Sequence, residues 1–357
     1  MKVTVIRASE LDDACKGHWT KIQRSDSNLI SPYFCIEFTE ALAAVRNDVY
    51  VAVIEDGPKI IGFFPFHRRR LGFGRPIGLG LSDYHGVIAD ADAEWSADEL
   101  LKGCRLVRWK FDHLIASQAP FQSYHQTVEQ SPIIEVAEGF DAYTERRIQM
   151  GGSGLKTIQR RARRLKNEHE EYRFIEFDMG ADRLDQVFAL KSAQCRETGA
   201  YDYFSLSWTR EFVQRLHAMR TSNFSGVLSS VLVGERCVAV HFGIRSDKVW
   251  HWWFPCYAHS FRRYSPGLIL LTEIIRSAAS SGLHYVDLGK DIVRYKSNLM
   301  TGSVAVASGE VTRSSILNSA ATALHWLEHR NHAPYLRPLL RLPLGMIRRA
   351  TRILRYN

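Results

Sequence analysis

The sequence predicts an α+β protein whose mixed, mostly antiparallel sheets are flanked by helices. The chain has 357 residues, more than one ordinary core requires, so two domains of roughly 150 residues each are expected. Strand-like runs are separated by short turn signals, and segments of helical periodicity interrupt them in both halves. Hydrophobic residues make up 45% and charged residues 24% of the chain, which is typical of a globular rather than a disordered or fibrous protein.

The first half begins with a strand at 3–7, and Ser9 to Asp12 precede a helix, where early acidic residues favour the helix dipole. A hairpin is predicted from strand-like runs at 49–55 and 59–66 around Asp56-Gly57-Pro58. The remaining predictions for this half are a strand at 86–89, a helix near 97–109 and a strand at 132–136.

The second half repeats the mixture of helices and strands. The run 182–198 is amphipathic, and Ser207 is expected to cap a helix that extends through Met219. Strands separated by Gly234-Glu235 and Ser246-Asp247 predict an antiparallel meander, followed by a helix that Pro266-Gly267 opens and Gly282 ends. The predicted strands are 172–177, 224–233, 237–245, 248–254 and 284–288.

The chain carries a formal charge of +9, and its basic residues are clustered. Six of them, and no acidic residue, lie between Lys156 and Lys166, and six arginines and no acidic residue lie in 336–357. An anionic partner is therefore expected: a phosphate group, a nucleic acid or a lipid headgroup. Beyond Pro343, apolar residues fall on one face of a helix and arginines on the other. This pattern predicts a helix that lies either on an anionic membrane or on the protein itself.

The six cysteines are widely spaced and form no CxxC pair, so neither a zinc site nor a redox motif is expected. His113, His125 and the run 67–70 show no ligand spacing, which favours a protein without a metal. The first residues lack an apolar signal core, and no uncharged run reaches the ~20 residues that span a bilayer. We expect a cytoplasmic protein, with any membrane contact peripheral and at the inner face.

The segment 150–171 places glycines directly before the basic cluster. Leu155, Ile158, Ala162 and Leu165 fall on one helical stripe, so one face is expected to pack on the protein while arginines such as Arg160 and Arg164 face outward. Lys156 follows Leu155 rather than a glycine, which argues against a Walker A loop. Two interpretations of the segment remain: a solvated helix that connects the domains, and a helix that binds an anion. Specific recognition of a DNA sequence is disfavoured.

A stronger anion site is predicted at 262–268. The aromatic-rich strand predicted at 248–254 precedes this range. It is followed by Arg262 and Arg263, and Tyr264-Ser265-Pro266-Gly267 then opens a helix. The first amides of a helix lack partners, proline suits the first turn, and glycine permits close approach, so a pyrophosphate is a suitable ligand.

The order of these motifs resembles acetyltransferases of the GNAT superfamily, in the branch associated with bacterial cellulose and exopolysaccharide biosynthesis, whose fold is similar to Fem-type peptidyltransferases. The resemblance is strongest over 140–305. It is carried by 265–267 (Ser-Pro-Gly), 287–289 (Asp-Leu-Gly), 295–296 (Tyr-Lys), 197–199 (Glu-Thr-Gly) with Phe204, and the arginine-rich helix 156–166.

The resemblance implies tandem GNAT-like domains. The expected division is an N-terminal GNAT-like domain at 1–145, a C-terminal GNAT-like acyltransferase domain at 146–310 and a basic helical tail at 311–357. The implied donor is acetyl-CoA or another acyl-CoA, held by Arg263, Tyr264, Ser265, Pro266, Gly267 and Leu268. The implied acceptor is a hydroxyl or amine of a sugar or an envelope or exopolysaccharide precursor, which attacks the thioester directly, and a membrane-bound synthase is a further candidate partner.

Such a reaction requires a base, an oxyanion donor and an acid for the leaving thiolate. The candidates are Asp287 as base or orienting group, Tyr295 as hydrogen-bond donor and Lys296 as the cation for an anionic group. His241 and His251, on neighbouring strands, are alternative bases, each with a structural role as the alternative. Trp250, Trp252 and Phe254 alternate onto one face as a sugar-stacking wall or as plain core, and Arg160 and Arg164 are candidate substrate contacts.

Two other functions stay open. The same fold would accommodate an aminoacyl-tRNA donor, with 160–166 binding RNA phosphates. Alternatively, the chain is a non-catalytic adaptor of a polysaccharide synthase, which predicts no binding of any acyl-CoA.

Overall fold

The computed structural model describes residues 1–180 and 182–313. Within them, a 13-stranded sheet runs through the protein in the order β1-β2-β3-β4-β6-β13-β7-β12-β11-β10-β9-β8, with β5 paired to β3. Its strands are β1 Lys2–Arg7, β2 Val49–Asp56, β3 Lys59–Arg68, β4 Phe73–Pro76, β5 Ile88–Ala89, β6 Arg108–Ile115, β7 His125–Glu135, β8 Tyr172–Ile175, β9 Phe224–Val233, β10 Arg236–Ser246, β11 Val249–Tyr257, β12 Tyr285–Asp287 and β13 Gly302–Thr312.

Helices flank this sheet. They are α1 Asp13–Ser25, α2 Ile36–Ala43, α3 Ala97–Gly103, α4 Phe140–Gln149, α5 Gly154–Glu168, α6 Arg183–Thr198, α7 Ser207–Ala218, α8 Pro266–Ser280 and α9 Arg294–Ser297. Strand pairing is antiparallel except between β4 and β6 and between β11 and β12. The predicted fold class, a mixed and mostly antiparallel sheet with flanking helices, is confirmed.

Local sequence signals explain many of the boundaries. Asp12 caps α1 by accepting a hydrogen bond from the Cys15 N–H, and Gly57, at φ +55°, closes the predicted hairpin between β2 and β3. The apolar stripe of α5 is buried through Leu155, Ile158 and Leu165. These elements rest on contacts between near neighbours in the chain, which is why the sequence predicts them.

One prediction for the first half is wrong. The helix expected near 97–109 ends at Gly103, and Arg108–Ile115 is the strand β6. Arg105 takes a left-handed conformation at φ 53°, which breaks the helix. Beyond it, Trp109 and Phe111 alternate into the core as β-strand residues do.

The strand β13 connects the two halves of the chain. It pairs with β6 on one side and with β7 on the other, although it follows them by more than 160 residues. The predicted boundary after residue 310 falls inside this strand. The division into domains therefore stays a prediction, and the tail helix predicted beyond Pro343 lies outside the described residues.

Two apolar cores lie on opposite faces of the sheet in the second half. One contains Phe212, Phe254 and Tyr33 beside α2 and α7. The other contains Trp250 and Trp252 beside α5 and α8. All six cysteines are free thiols. Within 1–180 and 182–313, the helices are too short or too polar to cross a bilayer.

Candidate active site

A histidine held between two carboxylates forms the centre of the candidate site. His251 on β11 lies with its Nε2 2.9 Å from Asp83 Oδ2 and its Nδ1 3.4 Å from Asp287 Oδ1. Asp83 comes from the loop after β4, and Asp287 is the last residue of β12. The parallel pairing of His251 with Asp287 in the sheet fixes this juxtaposition.

The charges of the centre stabilise one another. Burial lowers the pKa of His251, but hydrogen bonds and charge from Asp287 and Asp83 outweigh burial and raise it to about 9. Burial raises the pKa of Asp83, but the hydrogen bond and charge of His251, with His113 and Lys296, bring it below its ordinary value. At neutral pH the centre therefore holds an imidazolium beside an ionised Asp83 carboxylate.

Access to the centre differs between the two carboxylates. The Asp83 side chain is 26% exposed, whereas that of Asp287 is fully buried. Asp287 Oδ2 accepts from the Tyr84 hydroxyl (2.5 Å) and its Oδ1 from the Gly289 N–H (2.7 Å). In this structure Asp287 positions His251 and Tyr84, and Asp83 is the carboxylate of the pair that is partly exposed to solvent.

Lys296 shapes the loop that follows β12. Its Nζ donates to the carbonyls of Gly289 (2.9 Å) and Lys290 (2.7 Å). Burial lowers its pKa, against the charges of Asp83, Asp291 and Asp287. These bonds hold a cation near the centre and fix the turn in which Gly289, at φ +71°, passes close to Asp83.

The strands β11 and β12 separate beyond the centre. They pair only over Val249–His251 and Tyr285–Asp287, whereas β11 continues to Tyr257. A β-bulge lies at the separation, because Trp252 and Trp253 together stand opposite Gly243 of β10. The edge of β11 beyond His251 is therefore not covered by β12, which leaves a gap in the sheet next to the centre.

Because of this bulge, the three aromatic residues predicted to form one wall do not share a face. Trp250 and Trp252 lie in the core beside α8, but the extra residue turns Phe254 into the opposite core. Trp250 is fully buried and Trp252 is 5% exposed, so Trp250 cannot stack on a sugar. The side chain of Trp252 lines a pocket described below and is the member of the set that a ligand can touch.

His241 has the surroundings of a structural histidine. Its ring is fully buried, stacks on Trp252 at 4.3 Å and accepts at Nε2 from the Trp253 N–H (3.1 Å). Burial, with the charge of His251, holds its pKa well below the ordinary value. Because Nε2 is occupied and the ring is inaccessible, His241 is not a base for an acceptor.

The N-terminus of α8, where the sequence predicts an anion site, faces an open pocket but offers few free amides. Ser265 takes a left-handed conformation at φ 52°, and Pro266 has no N–H. The amides of Leu268 and Ile269 already donate to the Ser265 carbonyl. Positive charge must therefore come from side chains, and Arg161 of α5, which donates to the Ser265 hydroxyl, supplies it.

Four other residues that were predicted to contact a ligand have different surroundings in the structure. Arg263 pairs with Glu168 at 2.8 Å, and the Tyr264 hydroxyl donates to the same carboxylate at 2.6 Å. Arg164 pairs with Glu168 from one helical turn away, and Arg160 is exposed. The Glu168 network fastens α5 to the turn before α8, so Arg263, Tyr264 and Arg164 have a structural role there.

Two pockets flank the start of α8 and share Leu268 and Tyr295. One, of about 390 Å³, is lined by Trp252, Arg262 and Gly267 among others. The other, of about 620 Å³, is lined by residues including Ser153 and Gly154 at the start of α5 and Arg161 in its middle. Burial raises the pKa of Tyr295, so its hydroxyl stays protonated at neutral pH and can donate a hydrogen bond.

The predicted residues that remain candidates for ligand binding or catalysis fall into two groups on opposite faces of the sheet. Tyr295, Leu268 and Trp252 line the pockets beside α8, and His251 and Asp287 belong to the buried centre. Asp83 and Arg161 are the functional candidates that sequence reasoning did not select. The Asp83-Tyr84-His85 run gives no local signal, since Asp83 meets His251 across 168 positions in the chain.

Comparison with known proteins agrees with this architecture. Residues 152–297 match the family model described as an acetyltransferase (GNAT) domain. No curated protein matches the sequence of the chain significantly.

Solved structures match over most of the chain at low sequence identity. FemX aligns with a TM-score of 0.58 and 9% identity, over 90% of this chain and 99% of FemX. The C-terminal domain of an Agrobacterium fabrum protein described as a lysylphosphatidylglycerol synthetase gives 0.54 and 11%, over 87% and 96%. A tandem GNAT protein from the clavulanic acid biosynthesis pathway gives 0.50 and 7%, over 87% and 98%.

At such identities these structures establish the fold alone. The family match covers the elements that build the pockets and most of the buried centre, from α5 to α9. Residues 152–297 of this chain are therefore similar to the acetyltransferase (GNAT) domain family, within a fold shared with FemX and a tandem GNAT protein.

Proposed function

We propose that the chain transfers an acyl group, in the first instance acetyl, from acyl-CoA to a hydroxyl or amine of a sugar or envelope precursor. The observation that carries the proposal is the gap between β11 and β12. It lies between the pockets beside α8 on one face of the sheet and the partly exposed Asp83 on the other.

The donor is assigned to the α8 face. Arg161 and Arg262 supply positive charge for the pyrophosphate, aided by the dipole of α8. The uncovered edge of β11 offers backbone groups to the amides of the pantetheine arm, and that arm would bring the thioester to the gap beside Tyr295.

The acceptor is assigned to the Asp83 face. Its oxygen or nitrogen attacks the thioester carbonyl, the new C–O or C–N bond forms, the C–S bond breaks, and CoA leaves as a thiolate that takes up a proton from Tyr295 or from water. The Asp83 carboxylate orients the attacking group and receives its proton, and the Tyr295 hydroxyl donates to the oxyanion or to the departing sulfur. His251 and Asp287 fix the position and charge of Asp83.

A donor panel tests the proposal. Thermal unfolding of the full chain is followed with acetyl-CoA, longer acyl-CoAs, CoA and deacylated tRNA, since a ligand that binds only the folded state raises the midpoint. We expect stabilisation by acyl-CoA, and release of CoA thiol when nucleotide sugars or amino sugars are added. Absence of stabilisation by every CoA thioester would contradict the proposal and favour a non-catalytic adaptor.

One observation supports an alternative donor. The outer face of α5 exposes Lys156, Arg160, Arg163, Arg164 and Lys166, and such a face suits the phosphates of an aminoacyl-tRNA. Binding of tRNA that weakens steeply with salt, together with no response to acyl-CoA, would favour this donor.

A further inference from the structure

A second group of ligand-type side chains lies beside the candidate site. It consists of His85, in the loop that also carries Asp83, and of Asp112 and His113 on β6. One potential ligand atom from each of the three lies within 4.8 Å of the others. Nothing in the acyl transfer described above uses these residues.

Backbone hydrogen bonds hold the group together. The His85 N–H donates to the His113 carbonyl (2.8 Å), and the Ile115 N–H donates to the His85 carbonyl (3.0 Å). His85 is thereby attached to β6 as an additional parallel bridge. The side chains thus stand on a rigid strand rather than on a free loop, which suits a preformed site.

His85 is the least satisfied member of the group. Its residue is 1% exposed, and neither ring nitrogen makes a hydrogen bond of normal geometry with any residue of 1–180 and 182–313. A buried polar atom without a partner costs about 1–3 kcal/mol, so an imidazole in this state requires an explanation. The nitrogen Nδ1 faces Asp112 Oδ1 at 3.7 Å, which directs it toward the other two residues.

The distances suit a small transition-metal ion. His113 Nδ1 lies 3.2 Å from the same Asp112 oxygen. Ligands at ~2.0–2.1 Å from a tetrahedral zinc ion are about 3.3 Å apart, and the observed separations of 3.2 and 3.7 Å bracket this value. Two imidazoles and one carboxylate, with a fourth position for water, form a typical zinc donor set.

The surroundings of His113 support the same assignment. Its other nitrogen, Nε2, lies 3.8 Å from Asp83 Oδ1. A carboxylate behind the second nitrogen of a histidine ligand fixes the ring and strengthens the metal bond. Asp83 would therefore connect the ion to the His251 centre without being a ligand itself.

We propose that His85, Asp112 and His113 bind one divalent transition-metal ion of the zinc class next to the acceptor side of the candidate active site. The sequence did not predict this, because His85 and the pair on β6 are 27 or more positions apart and show no ligand spacing.

Metal binding is tested on the full chain, stripped with a chelator and desalted, then titrated with Zn²⁺ alone. We expect about one tightly held ion per chain by elemental analysis, and visible absorption bands of a four- or five-coordinate site when Co²⁺ replaces it. Mg²⁺ should not compete, because it prefers oxygen ligands.

Variants locate the site. His113→Gln and Asp112→Asn remove accessible side chains and should weaken Zn²⁺ binding by about 100-fold or more, since loss of even an outer partner typically costs 10- to 100-fold. His85→Gln should have the same effect, with circular dichroism used to confirm folding. His125→Gln removes a histidine of the same half outside the group and should bind like the parent. Equal zinc content in His113→Gln, Asp112→Asn and the parent, or equal displacement by Mg²⁺, would overturn the proposal.

Discussion

His251 Nε2 lies 2.9 Å from Asp83 Oδ2, so a strand from the second half of the chain and a loop from the first share one ionised centre. Neither half of the chain contains the centre by itself. The segment 152–297, which matches the acetyltransferase (GNAT) family model, contributes His251 and Asp287, while the partly exposed carboxylate of Asp83 comes from outside it.

Asp83→Asn should reduce the turnover of acyl transfer by about 10²- to 10⁴-fold, the usual contribution of a positioned acid or base. The amide keeps the shape of the side chain but loses its charge and its capacity to take a proton. The measurement is the rate of CoA thiol release at saturating donor. Asp92→Asn, at an exposed position of the same half, is the matched control, and equal turnover in the two variants would exclude Asp83 from the reaction.

Arg161→Ala should weaken acetyl-CoA binding on the order of 10- to 100-fold, because hydrogen bonds to charged groups contribute about 1.5–3 kcal/mol. Arg161 lines the larger pocket and donates to Ser265 at the start of α8. Isothermal titration measures the affinity. Arg160→Ala, one position away but exposed, should bind nearly as the parent does, and an equal loss in both variants would point to a diffuse effect of charge.

The two arginines also indicate how far sequence reasoning reaches. The apolar stripe of α5 correctly predicts which face is buried, because helical periodicity is local. It does not separate Arg161 from Arg160, since that depends on where α8 lies in space. In the same way, the turn residues predict the hairpin of β2 and β3. No local feature of the sequence predicts that β13 lies between β6 and β7.

In the sheet of the candidate site, too, sequence reasoning predicts local features but not long-range ones. Alternation along β11 predicts that Trp250, Trp252 and Phe254 share a face, and this is wrong because the bulge opposite Gly243 inserts one residue. Asp287 is correctly found at the end of a strand, yet its burial depends on Tyr84, 203 positions away. Long-range pairing decides these features, and a single sequence does not display it.

The stability of the protein should fall as the pH rises toward and beyond about 9, the pKa of His251. A folded-state pKa above the ordinary 6.5 means that the bound proton stabilises the fold fully below pH 6.5, and that this stabilisation is lost through pH 9. The contribution is on the order of 3–4 kcal/mol, since each pKa unit corresponds to about 1.4 kcal/mol. Asp83 and Asp287 pair with this ring, and the Tyr33 ring packs edge-on against it at 5.0 Å between centroids.

Thermal midpoints at pH 6.5 and above pH 9 measure the effect. In His251→Gln the difference between the two midpoints should shrink, because the titrating group is gone, whereas His284→Gln, at an exposed position, should keep the difference of the parent. A His251→Gln variant with an unchanged pH dependence would show that the imidazolium is not stabilised between the carboxylates.

Gly243→Ala should destabilise the protein by about 1–3 kcal/mol or more, as overpacking of a filled core does. A Cβ at Gly243 would lie 2.3 Å from the His251 carbonyl oxygen and 2.5 Å from His241 Cε1, so β11 would have to move where it bulges and where His251 is held. Urea unfolding gives the free energy, and Gly17→Ala in α1, where a Cβ meets nothing within 4 Å, should instead stabilise by about 0.5–1 kcal/mol. Because the gap between β11 and β12 begins at this bulge, Gly243→Ala should also lose acetyl-CoA binding while still folded at low temperature. A variant that keeps both stability and affinity would mean that the bulge does not set the shape of the donor site.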